Sequence, residues 1–225
     1  MERKDFLKQL GAGSIVALSS ATLLTACKRD KTDPNACADS PTETAGPFPI
    51  KTPADLVREN IVGNRTGVPL LITFKIQNVN ADCTPLSNVL VDLWHCDAGG
   101  NYSEYSGQQD GDFTSEQFLR GRQTTNANGE ASFISIYPGW YPGRAPHLHA
   151  EVLTLNGSSL LVTQVAFPED VSNTVYATSG YNGNFDTKNK RDDIFRDSLS
   201  SNLADSVSGN TTDGYTMVKT IKVSA

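Results

Sequence analysis

The sequence has few of the patterns that identify common metal-binding, redox and nucleic-acid-binding proteins. Its four cysteines form no Cys-x-x-Cys pair, which argues against a zinc site or a redox dithiol. No basic block occurs outside the N-terminus and the formal net charge is −6, so we expect no nucleic-acid partner. Only three histidines are present, and two of them are separated by a single residue. Any catalytic or metal-binding function therefore has to be inferred from individual side chains and their spacing.

The sequence also lacks an apolar run that is long and uninterrupted enough for a convincing transmembrane helix. The most apolar stretch, residues 10–26, is broken by glycine and serine and follows the basic residues Arg3, Lys4 and Lys8. This pattern predicts a signal peptide over residues 1–26. We therefore expect the protein to be exported.

The end of this segment, Leu24-Thr-Ala-Cys27, resembles a bacterial lipobox, in which the cysteine becomes the lipidated first residue of the mature protein. An ordinary signal peptide followed by a chance cysteine is the alternative. We expect the lipid on Cys27 to be the only membrane attachment, in the cell envelope, and Lys28 favours the outer membrane. Residues 3–8 resemble a twin-arginine export motif in which lysine replaces one arginine, which leaves the export route open.

Length and composition indicate one mainly β domain. A chain of 225 residues is long enough for one sizeable core and too short for two typical domains. Residues 27–40 are polar and aperiodic, which predicts a tether, and the folded domain is expected over residues 41–225. The 18 glycines and 11 prolines separate many short apolar runs, a pattern typical of a β-sandwich with long loops.

Apolar alternation and turn residues give a first assignment of strands. The predicted strands are residues 68–79, 89–94, 122–125, 131–136, 147–153, 159–167 and 215–223. Asn126-Ala-Asn-Gly129 and Asn156-Gly157 each predict a β-hairpin turn. The last strand is expected to close the sheet as an edge strand. The polar stretch before it is expected to be a long loop with one short helix around residues 192–198.

The cysteines suit an oxidising compartment. If Cys27 is lipidated, three remain. Cys83 and Cys96 flank a predicted strand and are the preferred disulfide, with Cys37 free or paired elsewhere.

The paired histidines and a nearby tyrosine are the first candidates for chemistry. His147 and His149 are two residues apart on a predicted strand, so both imidazoles point to the same side and are close enough to share a metal. Two surface histidines on an exposed face are the alternative. Tyr141 lies in a loop stiffened by proline and glycine, and a bound cation would favour its phenolate. A packed aromatic beside Trp140 is the alternative for Tyr141.

Four segments of the sequence together resemble the intradiol ring-cleavage dioxygenases. Residues 138–149, Pro-Gly-Trp-Tyr-Pro-Gly-Arg-Ala-Pro-His-Leu-His, resemble the second metal motif of that family. Residues 91–103 resemble its first motif, a tryptophan-containing strand followed by Gly-x-Tyr-Ser. Residues 118–129 and the Thr-x-Gly-Pro-Phe of residues 44–48 resemble two further family segments. The likeness is greatest to the secreted branch of the family.

The resemblance implies a β-sandwich of the intradiol dioxygenase type and a ferric ion, Fe(3+), as cofactor. The implied protein ligands are Tyr102, Tyr141, His147 and His149. Tyr141 is implied to be the phenolate that leaves when substrate binds and takes up a substrate proton. Arg144 is implied to stabilise negative charge on the activated substrate, and Gln164 to lie near the ring-cleavage site.

The implied reaction is the cleavage of a small aromatic diol of the catechol type by O2 to a muconate-type dicarboxylic acid. Two phenolate oxygens suit ferric iron, whereas a triad of two histidines and a carboxylate suits ferrous oxygenases. The alternative from a different class is a non-catalytic, lipid-anchored β-sandwich that binds carbohydrate or a protein. A binding module has no reason to bring the four implied ligands to one point, so their convergence discriminates the two.

Several other polar and aromatic residues are expected to have structural roles. His95 is expected to be structural, and Asp97 to cap a loop. Tyr105 is a rival to Tyr102 for the metal, although only Tyr102 follows glycine with the family spacing. Three tyrosines are expected to pack or line the pocket and two arginines to face or neighbour the site: Tyr137, Tyr176, Tyr181, Arg120 and Arg122.

Overall fold

The structure is a computed structural model that describes residues 37–225. The expected signal peptide, the lipidated Cys27 and most of the expected tether lie outside these residues. Within residues 37–225, no helix has both the length and the apolar character needed to span a membrane.

The described chain folds into nine strands and a few short helices. The strands are β1 (Pro69–Asn78), β2 (Thr84–Pro85), β3 (Val89–Trp94), β4 (Arg120–Thr124), β5 (Glu130–Ile136), β6 (His147–Thr154), β7 (Ser159–Ala166), β8 (Ser206–Asn210) and β9 (Gly214–Val223). The α-helices are α1 (Glu169–Tyr176) and α2 (Leu199–Asn202). Short 3-10 helices cover Pro53–Leu56, Val79–Ala81 and Asn189–Arg191.

The strands form two sheets, which confirms the predicted β-sandwich. One sheet has the order β2-β1-β9-β8, with β5 also paired to β1, and the β1–β9 pair is parallel. The other is antiparallel with the order β4-β3-β6-β7. The predicted hairpin at residues 156–157 is confirmed because β6 and β7 pair with each other.

Alternating apolar side chains of the two sheets form the core. In β1, every second residue from Leu70 to Ile76 is fully buried. In β6, Leu148, Ala150 and Val152 enter the same core. Each such aliphatic side chain contributes on the order of 2 kcal/mol to stability. Because strand side chains alternate, His147 and His149 point to the opposite face of β6, where loops cover them.

The turn at residues 126–129 does not form the predicted hairpin. β4 pairs with β3 in one sheet and β5 pairs with β1 in the other, so this turn carries the chain between sheets. The local turn chemistry is as predicted, since Asn126 Oδ1 accepts hydrogen bonds from the amides of Asn128 and Glu130. Such a turn specifies a chain reversal and leaves the choice of partner strand to long-range packing.

Two other secondary-structure predictions were wrong. β9 is an internal strand between β1 and β8, and the edge is β8. Residues 193–198 form turns, and the described helices lie on either side at 169–176, 189–191 and 199–202. Polar segments of this kind have no hydrophobic period from which an element can be located.

The disulfide prediction was also wrong. Cys37 is bonded to Cys83, with Cα atoms 5.7 Å apart, and Cys96 is a buried free thiol. Residues 37–40, which were expected to belong to the tether, are therefore attached to the folded domain. Residues 37–40 are held further by the Ser40 amide on the Lys222 carbonyl at 2.9 Å and by Ser224 Oγ on the Asp39 carboxylate.

Candidate metal centre

The two histidines of β6 form the floor of the site. Both are 2% exposed, and their Nε2 atoms lie 3.2 Å apart. His149 is opposite Trp94 of β3 and opposite Gln164 of β7 in the sheet register. Two neighbouring strands and the core on the far side of β6 therefore fix the positions of both rings.

Tyr102 comes to the histidines from the loop after β3. Its hydroxyl is 3.5 Å from His147 Nε2, its side chain is 1% exposed, and its ring packs 5.0 Å from Phe48. Asp97 shapes this loop by accepting hydrogen bonds from the Gly99 and Asn101 amides, as predicted for a loop cap. The loop is thus held rigidly enough to present a buried phenol.

Tyr141 comes from the loop before β6. Its hydroxyl is 3.1 Å from His147 Nε2, and its side chain is partly exposed. Glycine allows the two tyrosine loops to pack closely against each other. A Cβ on Gly100 would lie 2.5 Å from the Trp140 carbonyl oxygen, and a Cβ on Gly139 would overlap the Asp97 carbonyl oxygen. Tyr102, Tyr141, His147 and His149 therefore converge on one point.

Hydrogen bonds and packing orient the imidazoles. His147 Nδ1 lies 2.6 Å from the Ala145 carbonyl oxygen, which accepts its proton and leaves the Nε2 lone pair facing the other three side chains. The His149 ring stacks on Trp94, with 5.0 Å between ring centroids and 5° between planes. His149 Nδ1 has no hydrogen-bond partner within the described part of the chain.

Burial keeps all four side chains neutral in the absence of a cation. It raises the pKa of Tyr102 well above its ordinary value, and that of Tyr141 to about 12 although the Arg144 charge opposes this. Burial, helped by the Arg144 charge, lowers the pKa of His147 to about 3. Burial also lowers the pKa of His149 well below 6.5. Neutral imidazoles are metal ligands, and a bound cation would reverse the preference of the phenols.

Arg144 and Gln164 lie together beside these four residues. Arg144 Nη2 donates to Gln164 Oε1 at 2.6 Å, and Gln164 Nε2 donates to the Thr44 carbonyl at 2.8 Å. Both predicted residues therefore belong to one network that also ties down the 44–48 segment. Arg144 Nε donates to Asp192, which the sequence analysis did not single out because no local motif surrounds it.

Neighbouring residues have the structural contacts expected of them. The Tyr105 hydroxyl donates to the Pro49 carbonyl at 2.8 Å, so it is engaged away from the histidines. His95 is bonded through Nδ1 to the Cys96 carbonyl and through Nε2 to Ser135. The hydroxyls of Tyr137, Tyr176 and Tyr181 bond to Ser172, Pro138 and Tyr137 respectively.

The two flanking arginines are engaged in ion pairs. Arg120 is fully buried, pairs with Glu104 at 3.3 Å and donates to Ser103 and the Phe48 carbonyl. Arg122 donates through two nitrogens to the Asp92 carboxylate. Arg120 therefore supports the wall around Tyr102. Within residues 37–225, no group of three or more His, Cys, Asp and Glu side chains is arranged to hold a metal ion.

Comparison with known proteins identifies the family. Residues 44–179 match the sequence model of a family described as dioxygenase. The chain belongs to the intradiol ring-cleavage dioxygenase family. A solved intradiol ring-cleavage dioxygenase from Tetranychus urticae is 28% identical, with a TM-score of 0.73 over 84% of this chain and 95% of that one.

Two further relatives differ in how much of them the chain covers. The dioxygenase domain of a dioxygenase–carbohydrate-binding fusion from Streptomyces sp. SirexAA-E is 27% identical, with a TM-score of 0.62 over 84% of this chain and 99% of that one. The protocatechuate 3,4-dioxygenase beta chain of Burkholderia cepacia is 31% identical over 115 residues, 48% of each chain. This chain thus spans about half the length of that curated relative.

Proposed function

We propose that this protein is a ferric-iron enzyme that cleaves a catechol-type diol with O2 to a muconate-type dicarboxylic acid. The observation that carries the proposal is the convergence of two phenols and two imidazoles, with each of the other three donor atoms within 3.5 Å of His147 Nε2. The alternative of a non-catalytic binding module gives no reason for this arrangement.

The chemistry of the donor set fits a trivalent cation. Two phenolates would place two negative charges beside the buried side chains of Tyr102, His147 and His149, and a 3+ ion would compensate them with one charge to spare for an anionic substrate. Tyr102, Tyr141, His147 and His149 would hold the ion. When bound, ferric iron supplies a Lewis acid and a template for the diol, which makes a ring carbon reactive toward O2.

The different exposures of the two phenols support different proposed roles for them. Tyr102 is buried on a loop held by Asp97, so it is suited to be a permanent ligand. Tyr141 is partly exposed and is followed by the exposed residues Pro142 and Gly143, so it can move toward solvent. Since even a free phenol has a pKa of about 10, a displaced Tyr141 oxygen would take up a substrate proton at neutral pH.

Arg144 and Gln164 would act on the bound diol from one side. The Arg144 guanidinium supplies a fixed positive charge where negative charge develops on the substrate oxygens. Gln164, opposite His149 in the sheet and bonded to Arg144, would keep that group in place. The named relative from Burkholderia acts on protocatechuate, and a catechol ring is the part of that molecule that the proposed reaction needs.

We also propose that the protein is exported and held in the cell envelope by a lipid on Cys27. The Cys37–Cys83 disulfide supports an oxidising compartment. Metabolic labelling with a radioactive fatty acid should mark the wild-type chain and leave a Cys27→Ser variant unlabelled.

The enzyme proposal is tested on the chain without residues 1–27, by measuring iron content, the visible spectrum and O2 uptake with catechol. A phenolate-to-iron charge-transfer band that shifts when catechol is added anaerobically, together with ring-cleaved product, is the expected result. A colourless protein that stays inert after ferric loading would favour the binding module.

A further inference from the structure

The guanidinium of Arg144 is held from more than one side. Its Nε donates to Asp192 Oδ2 at 2.9 Å, its Nη2 donates to Gln164 Oε1 at 2.6 Å, and its Cζ lies 5.8 Å from the centroid of the Phe195 ring. The Arg144 side chain is 17% exposed, whereas that of Asp192 is completely buried. The arginine therefore has one defined orientation instead of the several open to an exposed side chain.

Asp192 also fixes the peptide next to Arg144. The same Oδ2 accepts a hydrogen bond from the Ala145 amide at 2.7 Å. The carbonyl of Ala145 in turn accepts from His147 Nδ1 at 2.6 Å. One buried carboxylate oxygen thus supports the guanidinium directly and an imidazole through one peptide unit.

The carboxylate is itself rigidly placed. Asp192 Oδ1 accepts from the Ile194 amide at 2.9 Å, and the Asp192 amide donates to the Lys188 carbonyl at 3.1 Å. The preceding residues are attached to the end of β7, because Asn189 Nδ2 donates to the Phe167 carbonyl at 2.8 Å. Residues 188–194 therefore connect the end of β7 to the loop segment that carries Arg144 and Ala145.

We propose that Asp192 is a positioning residue for the reaction, which holds the Arg144 fork in its working geometry, directly and through the adjoining Ala145 peptide. The inference rests on the proposed function, since it assigns Arg144 a role in the reaction. Asp192 lies beyond the residues matched by the family model, which end at residue 179. Breaking a buried charge pair leaves the remaining charge uncompensated, so Arg144 would reorient without its partner.

The main test compares Asp192→Asn with Asp193→Asn in the full iron-loaded chain. Asp193 is the matched control, because it is adjacent, its side chain is 83% exposed, and its ion pair among residues 37–225 is with the exposed Arg196. We expect D192N to lower kcat/KM for catechol by about 100-fold, the scale of removing one charge-stabilising contact, and D193N to change it by less than about threefold. D192N within threefold of wild type would overturn the proposal.

A double-mutant cycle separates positioning from a general structural effect. If Asp192 acts through Arg144, adding D192N to an Arg144→Ala variant should lower kcat/KM by less than about threefold further. Losses that multiply in full would show that Asp192 acts independently of Arg144 and would overturn the proposal.

If D192N fails to fold, Arg144→Lys is tested in its place, because lysine keeps the positive charge and loses the planar fork. Wild-type activity of R144K would overturn the proposal, and activity as low as that of R144A would support it.

A readout that needs no turnover uses the Arg144 Nε–H signal in 15N NMR, assigned from R144K, in the full chain loaded with diamagnetic gallium. Slow exchange in wild type and D193N, with loss of the signal in D192N, supports the proposal. Fast exchange in wild type overturns it. If the wild type neither takes up ferric ion nor cleaves catechol, the proposed function fails, and the same signal in the metal-free chain still decides whether Asp192 holds Arg144.

Discussion

Gly46 offers a direct test of how the His149 ring is held. It lies in the 44–48 segment with φ of +70°, and a Cβ there would come within 3.0 Å of His149 Cε1. Gly46→Ala therefore has two costs. The left-handed backbone costs a residue with a side chain about 1–2 kcal/mol, and the methyl group requires the ring or the segment to shift by a few tenths of an ångström.

The two costs are separable by a control that has only one of them. Gly157, in the turn between β6 and β7, has φ of +86° and open space where a Cβ would be. Gly157→Ala should lose about 1–2 kcal/mol of stability in urea unfolding, which is the backbone cost that it shares with G46A, without a change at the candidate metal centre. Only G46A should displace His149, which stacks on Trp94 and has no side-chain hydrogen bond on Nδ1 to restore it.

The assay is ferric affinity by competition with a chelator, measured beside urea unfolding. Disturbing a residue that orients a metal ligand typically lowers affinity 10- to 100-fold, so we expect a loss of about that size in G46A and less than about twofold in G157A. Equal ferric affinity in G46A and wild type, with G46A folded, would refute the reasoning that the 44–48 segment sets the position of His149.

Three further predictions concern stability and ligation. Burial lowers the pKa of His95 from 6.5 to about 4, so its neutral ring stabilises the fold fully above pH 6.5 and less as the pH falls toward 4. Between pH 7 and pH 4, the free energy of urea unfolding should therefore fall by about 3 kcal/mol more in wild type than in His95→Gln. Parallel pH curves for the two proteins would contradict this. The Cys37–Cys83 disulfide closes a separation of 46 residues, so C37S/C83S should lose about 4 kcal/mol of stability by the chain-entropy estimate, and equal urea-unfolding curves for this variant and wild type would contradict this. Tyr102→Phe removes one of the two phenols, so the charge-transfer absorbance per iron should fall by about half, and an unchanged band would remove Tyr102 from the ligand set.

The strands that face the core were predictable because their side chains alternate. β1 and β6 bury every second residue against the opposite sheet, and that period is visible in the sequence. β8 was missed because Ser-Val-Ser-Gly-Asn has almost no apolar face, and this strand exists through its pairing with β9. The α1 helix was missed for a similar reason, since only Val171, Val175 and Tyr176 among its eight residues are large and apolar.

Some residues of the candidate centre were likewise predictable from a local motif, whereas others depend on contacts between distant parts of the sequence. The two histidines and Tyr141 lie within nine residues of one another, so a local motif contains them. Asp192 is 48 residues from Arg144 in sequence, and its role depends on how residues 188–194 fold back onto the loop. The Cys37–Cys83 pair was missed because sequence spacing says nothing about which cysteines the sheet brings within bonding distance.

The placement of the candidate centre on the outer face of β6 would allow one of the proposed ligands to be mobile while the others stay fixed. Leu148 and Ala150 anchor the strand in the core, so the β6 backbone that carries His147 and His149 cannot shift without disrupting the packing of both sheets. Tyr102 is fixed as firmly by its own loop, whereas Tyr141 is partly exposed and is attached to the same strand only through residues 142–146. Substitutions around Tyr102 should therefore affect iron retention, and substitutions at Pro142 or Gly143 should affect the proton-transfer step while iron stays bound.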